Sequence, residues 1–362
     1  AQAFLSAREA GIVVVSSAGN SGPNPGTVGS PADSPWLTSV GAFTHGRTFE
    51  RTLSEFTGGS NLPSETIVGL GQPGRNITAE VVYAGHEPYN DPMCLSPLTT
   101  VRVSQKIVVC DRGEIPLVEK AENVFQGGGR AIIIANTDPE NDSLHDTPYK
   151  INGIHVDSAS GALLRNWLSP DTIQQISLSA GNVANDVSKA DKAGEFSSRG
   201  PNLSVTDIIV PSIAAPGVSI YAAYSDDQPF KNAPGTTDFA FLSGTSMASP
   251  HVAGAAALLT QLHPNWTASD IHSTLQLTAN NSTAFKEDGT TLADPFDNGS
   301  GMVRVDLAAK AGLSLRESID NFTSANPDEG GDPSQLNIAS LGKSQCVGTC
   351  SWTRTFTALK SG

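Results

Sequence analysis

Residues 242–254 read Leu-Ser-Gly-Thr-Ser-Met-Ala-Ser-Pro-His-Val-Ala-Gly and run straight into Ala255-Ala256-Ala257-Leu258-Leu259, with Leu262 beyond. This stretch constrains the fold more than any other, because it describes a tight turn feeding a buried helix. Ser243 and Thr245 are both N-cap residues by type, and Gly244 permits a close backbone approach. Ala, Gly, Val and Leu leave the helix apolar on nearly every side, the mark of a helix packed inside a domain. Ser246 falls in the first turn, where free N–H groups and the helix dipole favour developing negative charge. Pro250 is tolerated that near a helix start. On these features alone the stretch reads equally well as a plain helix of small residues capped by serines.

The start of the chain points the same way. Residues 1–10 (AQAFLSAREA) pattern as a helix with Phe4 and Leu5 on its buried face, and Gly11 ends it. Ile12-Val13-Val14-Val15 is a continuous apolar run, expected to be a fully buried strand, so helix and strand form half of a parallel α/β unit. Ser16-Ser17-Ala18-Gly19-Asn20-Ser21-Gly22-Pro23 follows at the strand's carboxyl end, where open α/β sheets bind ligands. Taken by itself, Asn20 is an ordinary turn residue in a segment rich in turn formers.

The order of residues says more. Gly-Thr-Ser-Met-Ala-Ser-Pro-His-Val-Ala-Gly, residues 244–254, strongly resembles the nucleophile segment of the subtilisin-like serine proteases, the subtilases. That resemblance implies Ser246 as nucleophile, with Thr245 and Gly244 shaping the oxyanion site and Ser243 and Gly244 bordering the substrate. It makes His251, five residues along the same helix, a packed structural residue and not the base. Ala-Gly-Asn-Ser-Gly at 18–22 resembles the segment whose asparagine amide donates to the oxyanion, which assigns that role to Asn20. Such a donor is worth about 2.7–4 kcal/mol of barrier, a figure measured on subtilisin itself. Ser17, Ala18 and Gly19 would then line the pocket for the residue before the scissile bond. Val28-Gly29-Ser30-Pro31-Ala32 and Ser39-Val40-Gly41-Ala42 continue the similarity. Some family members bind a cation such as calcium or sodium weakly near the former, and no other cofactor or metal site is expected.

From about Phe56 the pattern changes to short strands such as 80–83 and 106–110 among frequent Gly, Pro and Asn. A helical pattern over 116–127, a buried strand at 131–135, a strand at 154–156 and a helix at 161–167 make a small α+β unit. Lys-Ile-Val-Val-Cys-Asp-Arg-Gly and Gly-Gly-Gly-Arg-Ala-Ile-Ile-Ile-Ala-Asn-Thr within it resemble the protease-associated (PA) domain inserted in some subtilases. Residues 56–184 are read as that insertion, with Asp111 and Arg112 a structural pair at a strand end. By the same resemblance residues 1–55 and 185–317 are expected to be the two parts of the catalytic domain, a parallel sheet with helices on both faces, incomplete at its N-terminus. Glu195–Pro201, Ile213–Ile220 and Asn298–Val305 match further family segments, and Thr267 or Ser269 caps the helix after the nucleophile helix. Residues 318–334 read as an acidic linker. Residues 336–340 and 351–357 then resemble the opening strands of a fibronectin type III-like β domain.

Serine attack needs a base, and the base needs an orienting carboxylate. Subtilases take both from segments that precede the Asn and Ser segments, and neither an Asp-Thr-Gly-like strand end nor a His-Gly-Thr-His-like helix occurs here. None of the seven histidines, His45, His86, His145, His155, His251, His263 and His272, has a family match as base. The expectation is a partner segment carrying Asp and His, N-terminal to this sequence, without which the chain is inactive.

Composition narrows the partners. With 36 acidic and 22 basic residues the net charge is −14, which argues against nucleic acid. No run reaches the roughly 18 apolar residues a membrane span requires. Only 16% of residues are charged, a balance that suits secretion. Four cysteines allow three pairings, and neighbours in sequence are expected to join: Cys94 with Cys110, and Cys346 with Cys350. The second pair would stand about 13 Å apart in a straight strand, so it demands a turn, which Gly348 supplies. Sequons at Asn76, Asn141 and Asn202 matter in a eukaryotic host. The expected function is a secreted endopeptidase acting on protein or peptide. The rival is an inactive protease-like scaffold that binds partners through the insertion. An esterase would want Gly-x-Ser-x-Gly, which Gly-Thr-Ser-Met-Ala is not.

Overall fold

The computed structural model describes residues 2–98, 103–139, 142, 144–147, 149–225 and 239–360. They form two compact units, one drawn from Ala1–His45, Ser188–Val218 and Ser243–Gly362, the other from Gly46–Val187 and Ser219–Leu242. In chain order the elements begin α1 (Gln2–Glu9), β1 (Val15–Ser17), β2 (Thr38–Phe43), β3 (Arg47–Thr57), β4 (Ile67–Leu70) and β5 (Ile77–Tyr83). Next come β6 (Ile107–Asp111), α2 (Leu117–Gln126), β7 (Ala131–Ala135), β8 (Asn152–Val156), α3 (Ser158–Trp167), β9 (Gln175–Leu178) and β10 (Asn182–Asn185). They continue β11 (Ile213–Pro216), β12 (Ile220–Ala223), β13 (Phe239–Leu242), α4 (Thr245–Leu262), α5 (Ala268–Leu277) and α6 (Pro295–Asn298). The last are α7 (Val305–Ala308), β14 (Leu313–Leu315), α8 (Ile319–Ser324) and β15 (Phe356–Ala358).

In the first unit β1, β2 and β11 form a parallel sheet in that order, with Val15 opposite Thr38 and Val40 opposite Ile213. Alternation along β2 decides what covers each face. Val40 and Ala42, with Ile213 and Ala215 of β11, pack against Ala248, Val252, Ala255, Ala256 and Leu259 of α4. Small side chains on α4 bring the helix close to the sheet. On the opposite face Gly41 lies under α6, where an added Cβ would stand 3.2 Å from the Asp297 carbonyl oxygen. After α4, Thr267 caps α5 in a full capping box with Asp270.

Four expectations are corrected here. The strand is Val15–Ser17 and not Ile12–Val15; Ile12 is 56% exposed and Phe4 of α1 40% exposed. Among the described residues β1 pairs with β2 alone, and Val13 and Val15 meet the α4 cluster. Helix α4 is likewise one-sided. Its buried residues recur every three to four positions, whereas Leu258 and Leu262 are 58% and 59% exposed. Uniform apolarity concealed that stripe. The N-cap of α4 is Gly244, without a side-chain cap; the serine and threonine flanking it do not take that role.

The C-terminal stretch also departs from its reading. Residues 318–334 are not a free linker: Ser318 caps α8, and Phe322 is buried edge-on to Trp36 at 6.2 Å, with the Arg8 guanidinium over its ring. Residues 336–340 make no strand. Leu336 and Ile338 pack with Ala18, Val28, Ile208 and Val210, and Arg354 donates to the carbonyls of Ser334, Ile338 and Ser340 at 3.2, 2.9 and 2.9 Å. A guanidinium that gathers three carbonyls holds the segment in turns and keeps it out of a ladder. Within 351–357 only the last two residues are strand, at the start of β15, which pairs antiparallel with β14.

In the second unit β3, β4, β8, β7, β6, β5 and β9 follow one another, and β9 pairs back onto β3, so seven strands close a ring that β10 extends along β3. Strands β5 to β8 are mutually parallel. Both faces of β6 and β7 are covered, which is why their sequences are unbroken apolar runs. Ile107, Val109 and Ile133 face a core with Leu164 and Trp167 of α3. Val108, Cys110, Ile132 and Ile134 face Ala121 and Val124 of α2. Both neighbour pairs of cysteines are joined, Cys94–Cys110 inside this core and Cys346–Cys350 around Gly348 at φ +84°. Asp111 pairs with Arg165 at 2.7 Å and accepts from the Tyr83 hydroxyl, not from Arg112 as expected. Successive strand residues point to opposite faces, so Asp111 and Arg112 cannot share a partner side.

Candidate active site

The site lies in the first unit, where the carboxyl ends of β1 and β11 meet the start of α4. β11 ends at Pro216, and the Gly244 N–H donates to the Gly217 carbonyl at 2.8 Å. A Cβ on Gly217 would stand 2.9 Å from the Gly244 oxygen, so only glycine allows this approach. The turn delivers Thr245, fully buried, and Ser246, exposed, as the first two residues of α4. Position alone leaves the Ser246 N–H without a helical partner.

Asn20 reaches this helix start from the loop after β1. Its Oδ1 accepts both the backbone N–H and the hydroxyl of Thr245, each at 2.9 Å. A backbone N–H can only donate, so the atom it meets must be the amide oxygen, and Nδ2 is left facing out as a donor. The Thr245 hydroxyl in turn accepts the Gly19 N–H at 3.2 Å. Gly244 lies next to this donor: a Cβ there would stand in contact with Asn20 Nδ2, at 3.5 Å. The product is an exposed serine at a helix N-terminus beside an amide whose donor end has been oriented by its own oxygen.

The remaining predicted site residues line up around it. Ser17 ends β1, and Ala18 is buried with its N–H on the Val40 carbonyl at 3.0 Å. Gly19 has φ +110°, the left-handed side that favours glycine. Ser243 leads out of β13 into Gly244. His251 is exposed rather than packed, and its Nδ1 meets the Met247 carbonyl at 2.8 Å on its own helix. Its place one turn along α4 points it along the helix surface, which the residue spacing did not reveal.

Among the described residues no histidine hydrogen-bonds to Ser246. Buried His272 engages Thr38 Oγ1 through Nδ1 and the Gln276 amide through Nε2, both at 2.7 Å. Burial, reinforced by the Arg8 charge, drives its pKa well below the usual imidazole range. In the other unit His155 Nε2 meets Asn136 Oδ1 at 2.7 Å and its Nδ1 accepts the His145 N–H at 3.0 Å. Burial lowers His155 strongly, and lowers the stacked His145 to about 4 with help from Arg112. These imidazoles are neutral structural residues. Sequence reading missed Ser198, which borders the Asn20 loop; it carried no signal beyond its place in a matching segment. Among the described residues no group of three or more His, Cys, Asp or Glu side chains could hold a metal ion, and no helix is long and apolar enough to cross a membrane.

Comparison with known proteins gives a consistent picture. A model of the subtilase family (Peptidase_S8) matches residues 1–301. Subtilisin-like protease SBT1.6 of Arabidopsis thaliana is 33% identical over 362 residues, covering 94% of this chain and 45% of the relative. Subtilisin-like proteases SBT1.3 and SBT1.7 of the same plant are 32% and 34% identical, over 93% and 85% of this chain and 44% and 42% of theirs. The chain thus spans less than half the length of these relatives.

Proposed function

The chain belongs to the subtilase family, and on that premise we propose that it carries the nucleophile and the oxyanion site of a serine endopeptidase cleaving protein or peptide chains. One observation carries the reading: both Thr245 donors converge on Asn20 Oδ1 and leave Nδ2 as the oriented donor at the start of the helix that carries Ser246. In the proposed reaction Ser246 Oγ attacks the scissile carbonyl carbon as its proton passes to a histidine base. The carbonyl oxygen becomes an oxyanion, stabilised by Asn20 Nδ2 and the Ser246 N–H at the positive end of α4. Collapse expels the amine, which takes the proton from the base, and leaves an acyl ester on Ser246. Water attacks the ester by the same steps in reverse roles and frees the enzyme.

The base and its orienting carboxylate are proposed to come from an N-terminal segment of the same protease outside this sequence, so the chain alone is expected to be inactive. Ser17, Ala18, Gly19, Ser243 and Gly244 are the proposed walls of the substrate cleft. Residues 56–184 are proposed to be a PA domain that controls access or partner contact, a reading supported by a closed ring of seven strands, of which all but β3 (Arg47–Thr57) fall within those bounds. Secretion is supported by two disulfides, one wholly inside a core, since such bonds persist in oxidising compartments.

Fluorophosphonate labelling of the native full-length protein tests this, read by intact and peptide mass. A single adduct on Ser246, lost on denaturation, is expected. No adduct on a folded full-length sample would transfer the case to an inactive scaffold that binds partners through its insertion.

A further inference from the structure

The side-chain oxygen of Asn20 is held by Thr245, but a donor is fixed in space only if its backbone is fixed as well. Asn20 sits on an exposed loop. One residue secures that backbone on both sides. The Ser198 N–H donates to the Gly19 carbonyl at 2.9 Å, and the Ser21 N–H donates to Ser198 Oγ at 3.1 Å. Ser198 is fully buried, and a Cβ on Gly19 would lie 2.8 Å from its hydroxyl oxygen. Glycine at position 19 is therefore what admits Ser198 this close.

Ser198 is itself anchored to the rigid core. Ser197 Oγ accepts the Ala42 N–H of β2 at 3.0 Å. Arg199, 3% exposed, binds Asp297 of α6 at 2.7 Å and returns its Nε to the Ser197 carbonyl at 2.9 Å. Further along, Thr27 and Val28 donate to the Arg199 carbonyl, and Gly22 donates to the Phe196 carbonyl at 2.9 Å. The whole loop from Gly19 to Val28 is laced to one stiff strip.

We propose that Ser198 is a positioning residue for catalysis, setting the place of the Asn20 amide donor by bracketing residues 19 and 21. This rests on the reading of Asn20 as oxyanion donor. Removing the Ser198 hydroxyl frees the Ser21 N–H, and the loop can then pivot about the bonds from Thr245 to Asn20 Oδ1. A donor displaced by a fraction of an ångström loses its alignment with the transition state while substrate still binds.

The test is a double-mutant cycle on the full-length enzyme. Asn20→Ala is expected to lower kcat by about 10²–10³. Ser198→Ala is expected to lower kcat about tenfold with KM unchanged within twofold, and to lower it no further in the Asn20→Ala background. Ser21→Pro deletes the same hydrogen bond from an exposed position, should give the same kcat loss, and serves if Ser198→Ala does not fold. An unchanged kcat in both variants, or an equal loss with and without Asn20, would overturn the positioning role. A normal kcat in Asn20→Ala would instead overturn the oxyanion reading on which it rests.

Discussion

Thr245 gives both of its donors, backbone and hydroxyl, to a single oxygen, Oδ1 of Asn20, across 225 residues of sequence. The pair orients an amide that nothing in the local turn would orient. Replacing Thr245 with valine keeps the shape and the backbone bond but deletes the hydroxyl, along with its acceptance of the Gly19 N–H. Steady-state kinetics of full-length Thr245→Val should show kcat reduced by about tenfold, the worth of one or two neutral hydrogen bonds. A loss as large as that of Asn20→Ala would mean the threonine does more than orient the amide.

Acid should weaken the fold from a defined pH downward. His272 and His155 are held neutral, with Nε2 of one and Nδ1 of the other accepting a hydrogen bond, so neither can take a second proton in place. Their folded pKa values lie below the unfolded value near 6.5. Below pH 6.5 the unfolded chain therefore binds protons that the folded chain does not, and stability falls as pH falls, by about 1.4 kcal/mol per pH unit for each histidine. Thermal unfolding at constant ionic strength should be flat from pH 8 to 6.5 and decline below it. His272→Asn should remove one proton from the slope of the first unit; an unaltered slope would contradict the assignment.

The two disulfides should respond differently to reductant. Cys94 and Cys110 are fully buried, while Cys346 is exposed. Mild reductant with mass-tagged alkylation should therefore label Cys346 and Cys350 first and spare Cys94 and Cys110 until unfolding. Removing the buried bridge, which spans 16 residues, should cost roughly 3 kcal/mol in the chain-entropy description. Simultaneous reduction of both pairs in folded protein would refute this order.

One sequon is closed by the fold. Asn202 is fully buried; its amide nitrogen donates to the Asp33 carbonyl at 2.7 Å and its oxygen accepts from Ser204 and Val205 at 3.0 and 2.8 Å. A glycan on that nitrogen would break the turn. Asn76 is exposed, with only its oxygen engaged, by the Ala180 N–H, and Asn141 lies outside the described residues. Glycopeptide mapping of folded protein from a eukaryotic secretory host should find Asn202 unmodified, and occupancy there would be the contrary result.

Several elements were legible from local pattern because local physics governs them. The unbroken apolar runs of β6 and β7 and the periodic α2 specify themselves within ten residues, while the pattern narrows the cap of α5 only to Thr267 or Ser269, of which Thr267 takes it. Gly244 through Gly254 named the helix that bears Ser246, and Ala18 through Gly22 the loop that bears Asn20. Reading failed where burial depends on what lies alongside. The strand is β1 at Val15–Ser17, with β2 as its one sheet neighbour among the described residues, α4 turns Leu258 and Leu262 outward, and residues 336–340 look like strand but are gathered into turns by Arg354. Composition reports how apolar a segment is, not how many of its faces are covered.

By itself the sequence marked a helix beginning near Gly244 and a turn over Ala18–Gly22, since short motifs encode turn and period, and only the family resemblance singled out Ser246 and Asn20 within them. Tertiary structure alone decided how those residues are oriented: which atom of Asn20 faces outward, and which buried serine, 177 residues from Ser21, secures the loop. Hydrogen-bond direction and backbone approach depend on partners remote in sequence, and no local pattern carries them.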